Sequence, residues 1–496
     1  MAGFFILLIS LNVSSQTKDT CNRLAKLSFL KINATPVKVS NVSLAEKYGF
    51  LKSAIGNKRI VMLGEHSHTD GASLVSISEV VQYLHQEMGF EVLVIEAPFF
   101  DIDIKKRFSR DYKSFIDIAS HPLPLTFYEL MEYYWRCKAG NKPLLLEGGD
   151  IFFSREDLPK IIAEIDSLAN ITNPMLAKSQ QWNQCWNHIT QRSLIESDSA
   201  IDKFRNNCIF FIERIRGSKA DGYVKEALIQ RIECILGTIK SNQFIDQNKL
   251  EKDDSERSVK IIDETYDSTT GLRTVRVEEK LKDPYSPLSQ FDSISTEYYL
   301  EINKIRDEYI GKNILYLIEQ KYPGKKIIIN FSGYHISRNI SPVQQQMKYL
   351  KTAIPMGQFI YNRHKDELYT ICFPMYSGVR GFSLTLTGDP KDGKVERQRT
   401  IRKASPCSIE GLLKDAFIYK YGNKHVNYAA FLDLSKTSKM KGGEWLKEEN
   451  EMEPTFVRPY KADWTNIYDG IFFIREMHLA YVTLPFLKFY KKPLPK

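Results

Sequence analysis

The sequence predicts an α/β fold: a mainly parallel central sheet flanked by helices, with a helical insertion and a β-containing C-terminal part. Three observations carry that prediction. Three β-branched runs, "RIVML" from Arg59, "EVLVIE" from Glu91 and "KIIIN" from Lys326, each end in polar or turn residues and read as buried strands. Between the first two, "ASLVSISEVVQYLHQEM" places Val75, Ser78, Val81, Leu84, His85 and Met88 near helical spacing and is followed by Gly89 as a stop, which makes a strand, loop, helix, strand unit. From about Ser154 to Leu236 the periodicity is helical throughout.

At 496 residues the chain is long enough for a sizeable core. Its 28 Phe and 26 Tyr argue against disorder. The net charge of +9 arises from 69 basic and 60 acidic residues mixed along the chain, without the basic run that would track a phosphate backbone, so nucleic acid is not expected as a partner. Seven cysteines show no CxxC pair or regular spacing, which points neither to zinc nor to a disulfide framework.

The elements follow in order. "MAGFFILLISLNVSSQ" gives an apolar stretch too short to span a bilayer, then small polar residues, so residues 1–20 are expected to be a signal peptide exporting the protein to the periplasm or beyond, although no Lys or Arg precedes Phe4. No integral membrane association is expected. Residues 21–153 form the first half of the core, closing on a fourth strand, "KPLLLEG" from Lys142. Residues 154–242 form the helical insertion, in which Leu158, Ile161, Ile162, Ile165 and Leu168 share one face. Residues 243–294, charged and poor in large apolar side chains, are expected to be a loop or connector. Residues 295–345 bring a helix with Tyr299, Ile302, Ile305, Tyr309, Ile314 and Leu317 as apolar contacts, ended by Pro323 and Gly324, and then the "KIIIN" strand. In residues 346–496 the runs "QFIYNRHKDELYTICFPMY" and "GFSLTLTGD" suggest hairpins, and "DGIFFI" from Asp469 a late strand.

Titratable residues gather where these strands end. Glu65, His66 and His68 leave the first strand, Glu96 ends the second, Asp150 follows "LLLEGG", and His335 follows "KIIIN". Ligands in such sheets collect at the carboxyl ends of strands, where shifted pKa values also arise. Each residue has a plainer reading. His66 can be exposed filler, His85 a packing residue and Asp150 a helix cap, Trp135 and Arg136 can line a pocket or pack, and the acids and histidines together can be a buried charge network that orders a loop.

The quoted residues resemble the erythromycin esterase family. "LGEHSH" matches that family's strand followed by G-E-x-x-H, "GFEVLVIE" its next strand ending in Glu, and "LLLEGGD" its G-x-D strand end. "RDEYIGKNI", beginning at Arg306, matches its R-(D/E)-x-x-M-x-x-N helix, "IIINFSGYHISRN" its strand ending in H-N-x-H, and "YDGIFFI" its last strand. The resemblance implies a metal-independent, cofactor-free hydrolase that opens a cyclic ester of a small-molecule substrate with activated water. It implies His68 as general base, Glu65 and Glu96 as groups orienting the base or the water, and His335 as support for the transition state. His66, Asp150, Ser332 and Arg306 are then candidates for substrate binding. The sequence departs from the family at Ser332 and Gly333, which replace the first histidine and the asparagine of H-N-x-H, at Thr69, and around Ile77 and Glu79, where a basic residue is expected. Weakened or altered activity is the consequence. Metal-dependent hydrolysis and ligand binding without catalysis are the alternatives.

Overall fold

The computed structural model describes residues 23–38, 42–67, 70–109, 128–138, 140–151, 157–190, 198–247, 259–267, 272–279, 293–346, 354–381, 398–417, 420–421, 424–425, 427–453 and 459–478. The signal-peptide expectation for residues 1–20 and most of "GFSLTLTGD" fall outside these residues.

β1 (Thr35–Lys38) lies at one edge of the main sheet. β2 (Ile60–Glu65) follows with all six residues buried, as a parallel strand covered on both faces requires. α1 (Gly71–Met88) crosses back over the sheet on Ile77, Val80, Val81 and Leu84, and Gly89 ends it in the left-handed region at φ 71°. β3 (Val92–Pro98) is again wholly buried, and α2 (Phe99–Phe108) and α3 (Tyr128–Lys138) lead to β4 (Leu145–Asp150). Next come α4 (Leu158–Thr172), α5 (Gln180–Thr190), α6 (Asp198–Arg216) and α7 (Gly222–Gln247), knitted by aromatic pairs such as Trp182 and Phe211, whose rings lie 4.8 Å apart.

The segment expected to be a connector contains regular structure. β5 (Val259–Asp267) and β6 (Leu272–Glu279) pair antiparallel across residues 268–271. Val275 and Val277 recur there at the strand period of two, a signal that the high charge of the segment obscured. α8 (Ser293–Tyr316) runs into a π-helical turn at Leu317–Lys321 and feeds β7 (Ile327–Ser332). "QFIYNRHK" is helical rather than part of a hairpin: it lies within and just beyond α9 (Met356–His364), where Met356 and Ile360, one turn apart, are both buried after Pro355. β8 (Leu368–Cys372), β9 (Met375–Gly381), β10 (Gln398–Ile401), α10 (Ile409–Ala416), β11 (Asn427–Asp433), β12 (Asn450–Met452), β13 (Tyr460–Ala462) and β14 (Gly470–Met477) complete the described elements used below.

The sheet order is β1-β11-β14-β8-β2-β7-β3-β4, with β9 on β14 and β10 on β9. All pairs from β14 to β4 are parallel, while β1, β10 and β11 join antiparallel, so the fold is α/β with a mainly parallel sheet. Side chains alternate between the faces. Ile60, Met62, Ile327 and Ile329 pack toward Ile161, Phe211 and Ile314, whereas Val61, Leu63 and Ile328 pack toward Ile77, Val81 and Met131. Each such aliphatic side chain contributes roughly 1.5–3 kcal/mol by leaving water. Cys185, Cys208, Cys234 and Cys372 are buried, in keeping with small core residues. Among the described residues no helix is long and apolar enough to cross a membrane.

Register decides where the site lies. Gly64 is level with Cys372, Glu65 with Ser332, Ile95 with Asn330 and Pro98 with Asp150. Five adjacent strands therefore finish along one edge.

Candidate active site

The end of β2 can approach the turn after β7 because Gly64 has no side chain. A Cβ there would lie 2.6 Å from Ile336 Cδ1 and 2.8 Å from Gly333 Cα. The Gly333 N–H donates to the Glu65 carbonyl at 2.7 Å, which ties the two strand ends together. Glu65 itself is buried.

One guanidinium organises the neighbouring strand ends. Arg306, on α8, donates from Nε to Asp150 Oδ1 at 3.1 Å and from Nη2 to Asp150 Oδ2 at 2.6 Å, a two-pronged grip on β4. Nη2 also donates to Glu96 Oε1 at 2.8 Å, and Nη1 lies 3.1 Å from His335 Nε2. The second oxygen of Glu96 accepts the Ser332 N–H at 2.8 Å. His335 Nδ1 lies 2.7 Å from Asp307 Oδ1, and that oxygen also accepts the Met356 N–H at 2.9 Å. Glu96, Asp150, Asp307 and His335 are all buried, and the Arg306 side chain is 19% exposed. Buried carboxylates in this number persist only when a cation and directed hydrogen bonds compensate them.

The partners assign the tautomer of His335. Its Nδ1–H donates to Asp307 while Nε2 accepts from Arg306. Burial disfavours the imidazolium, but the carboxylates of Asp307 and Glu96 outweigh burial and the repulsion of Arg306, so the pKa of His335 lies above its ordinary value. When a proton reaches Nε2, Glu96 Oε1 at 3.5 Å is the acceptor that replaces the arginine contact. Arg306 stays charged: burial opposes the charge, and Asp150 and then Glu96 overcome that opposition.

Of the residues singled out from sequence, Glu96, Asp150, Arg306 and His335 meet in this cluster, with Ser332 joining through its backbone. Glu65 stands on the adjacent strand. His66 has a fully buried side chain, with Asp70 and Glu453 as neighbours. His68 and Thr69 lie outside the described residues. His85 pairs with Tyr133 at 2.6 Å, away from the strand ends, which suits its packing role. Among the described residues no group of three or more His, Cys, Asp and Glu side chains is arranged to hold a metal ion. Two residues were not singled out. Asp307 orients His335, and Asn313 donates from Nδ2 to the Gly149 carbonyl at 3.0 Å. Both stand inside the "RDEYIGKN" run, so their spacing from Arg306 was the available signal.

Known proteins resemble this chain in sequence and in fold. The sequence profile of the erythromycin esterase family matches residues 217–477, more than half of the chain. "Putative hydrolase YbfO" of Bacillus subtilis (strain 168) is 24% identical over 431 residues, covering 84% of this chain and 83% of that protein. A Bacillus cereus protein of known crystal structure superposes with a TM-score of 0.64 at 15% identity, covering 93% of this chain and 99% of its own. A histidine-to-asparagine mutant of the erythromycin esterase EreC, in its open conformation, superposes with a TM-score of 0.59 at 13% identity over 90% of this chain and 98% of its own.

Proposed function

Because the chain belongs to the erythromycin esterase family, we propose that it is a hydrolase that opens an ester or lactone of a small molecule with water activated by His68. The observation that carries this reading is the convergence of Glu96, Asp150 and His335 from three strand ends on the single guanidinium of Arg306. Such convergence holds acids and an imidazole in fixed orientation before substrate arrives, which is how active sites avoid reorganising during the reaction.

In the proposed reaction His68 takes a proton from water as the water oxygen bonds to the carbonyl carbon. Glu65 and Glu96 orient the base and the water. The carbonyl oxygen becomes an oxyanion, and His335, held by Asp307, supports the transition state beside it. Collapse breaks the acyl C–O bond, the departing alkoxide takes back the proton held by the His68 imidazolium, and the acid and alcohol leave, on one molecule where the substrate is a lactone. With Ser332 in place of a histidine, one group that could face the oxyanion is missing. The loss of one such donor costs about 3–4 kcal/mol, which supports a slow enzyme or an altered substrate. Glu96 and Asp150, two of the carboxylates a metal-dependent route could draw on, already hold Arg306. Action on a macrolactone antibiotic, and export through residues 1–20, belong to the same proposal.

Purified protein incubated with macrolactones and aryl esters, with and without a chelator, tests it. The expected result is turnover that is lost in His68→Ala and indifferent to the chelator. Turnover that survives His68→Ala refutes the mechanism, loss on chelation points to a metal enzyme, and saturable ligand binding without turnover points to a binding homologue.

A further inference from the structure

His66, just past the end of β2 in the loop to α1, has acidic neighbours outside the Arg306 cluster. The imidazole of His66 has no solvent exposure: Nδ1 lies 3.4 Å from Asp70 Oδ2, whose side chain is equally buried, and Nε2 lies 3.6 Å from Glu453 Oε1, whose side chain is 23% exposed. Glu453 directly follows β12, and its N–H donates to Glu410 Oε1 at 2.6 Å. Glu410, on α10, is fully buried. The loop is pinned by backbone as well. Asp70 N–H donates to the Ser67 carbonyl at 3.1 Å, and Gly71 N–H donates to the carbonyl of His478, just past β14, at 2.8 Å.

A buried imidazole flanked on both nitrogens by carboxylates is a costly way to fill space, since an apolar side chain would pack there without desolvating polar groups. What the arrangement provides is a link, because the ring lies between an acid of its own loop and an acid of the C-terminal part, within ion-pair distance of both. We propose that His66 is a positioning residue: through Asp70 on its own loop and Glu453 of the C-terminal part, it fixes the loop that leaves β2 beside the Arg306 cluster, with Glu410 setting the backbone of Glu453. This replaces substrate contact as the role of His66. Its kinetic consequence rests on the hydrolase reading, and its structural consequence does not.

The test uses the full chain as His66→Gln, as Glu453→Gln and as the double variant. Glu453 is partly exposed, so its variant serves if His66→Gln does not fold. The first readout is amide hydrogen exchange. Exchange at residues 66–71 is expected to rise about tenfold in each single variant, with protection of β2 and β7 unchanged. Unchanged loop exchange in both overturns the proposal, whether or not any ester is turned over. The second readout is kinetic. On an ester that the wild type hydrolyses, kcat should fall about tenfold or more while KM stays within about twofold, and the double variant should be no slower than the slower single. A kcat that does not move in either single variant, or falls that multiply in the double, overturns positioning. Turnover that persists in His68→Ala refutes the hydrolase mechanism instead, and loop exchange then decides positioning alone.

Discussion

Replacing Glu410 by glutamine isolates one buried carboxyl whose titration the fold has moved. Burial pushes Glu410 up from an ordinary 4.5 to about 7, against backbone hydrogen bonds that favour the ionised form, and the nearby Glu453 carboxylate pushes the same way as burial. Between these two values the folded chain keeps the proton and the unfolded chain has released it. Unfolding there expels a proton, so rising pH favours the unfolded state. The group's contribution to stability is therefore complete below about 4.5, declines as pH rises toward 7, and is gone above that. The separation of about 2.5 pH units, at 1.36 kcal/mol each, amounts to about 3 kcal/mol. Glutamine keeps an oxygen to accept the Glu453 N–H and carries no charge to titrate. Urea unfolding of both proteins from mildly acid to mildly alkaline pH, taken as the difference between them, cancels the groups they share. Glu410→Gln should gain on the wild type by about 3 kcal/mol across that range. Difference curves that stay flat would refute the assignment of a shifted, protonated Glu410.

Three further outcomes follow from the same geometry. Arg306→Met leaves Glu96 and Asp150 buried without their cation and should cost about 3–5 kcal/mol of stability in denaturant unfolding near neutral pH, and a loss under about 1 kcal/mol would mean that the cluster relaxes into solvent. Asp307→Asn removes the carboxylate that does most to raise His335, so the imidazole titration, followed by NMR, should move down. Because a raised histidine pKa stabilises the fold on the acid side, the variant should lose stability chiefly in acid, and an unmoved titration contradicts the reading. Gly64→Ala forces a methyl to within 2.8 Å of the Gly333 backbone and should cost about 1–3 kcal/mol by thermal unfolding, whereas an unchanged midpoint would show that the β7 turn yields freely.

Much of the core was legible because parallel strands buried on both faces must be written in β-branched residues. "RIVML", "EVLVIE" and "KIIIN" have no other economical reading, and β2, β3 and β7 stand there. The acids at their ends were legible for the same reason, since a strand end is where the chain leaves the apolar interior. The hub was not legible from spacing. Arg306 lies 210 positions from Glu96 and 156 from Asp150 along the chain, and only the docking of α8 brings them into contact. Asp307 was hidden by adjacency: next to an arginine it reads as a surface ion-pair residue, whereas the helix turns it toward His335, 28 positions on. The helix at α9 was misread because "QFIYN" alternates over too few residues to separate a period of two from one of 3.6.

The placement of Arg306 requires an explanation that the arginine cannot supply. A slip of α8 by one turn would move the guanidinium by about 5.4 Å and break its contacts with Glu96, Asp150 and His335 together. Asn313 prevents such a slip. It stands seven positions further along α8, on nearly the same face, and bonds the carbonyl of Gly149, the residue before Asp150, while Gln230 of α7 donates to its side-chain oxygen. A Cβ at Gly149 would lie 2.8 Å from both Ile314 and Phe331, so the glycine allows helix and strand to meet this closely there. Asn313 and Arg306 thus grip consecutive residues of one strand end, one through a carbonyl and one through a carboxylate. The spacing of the arginine and asparagine in "RDEYIGKN" is a ruler for helix register, and the charges of the site are placed by a neutral amide.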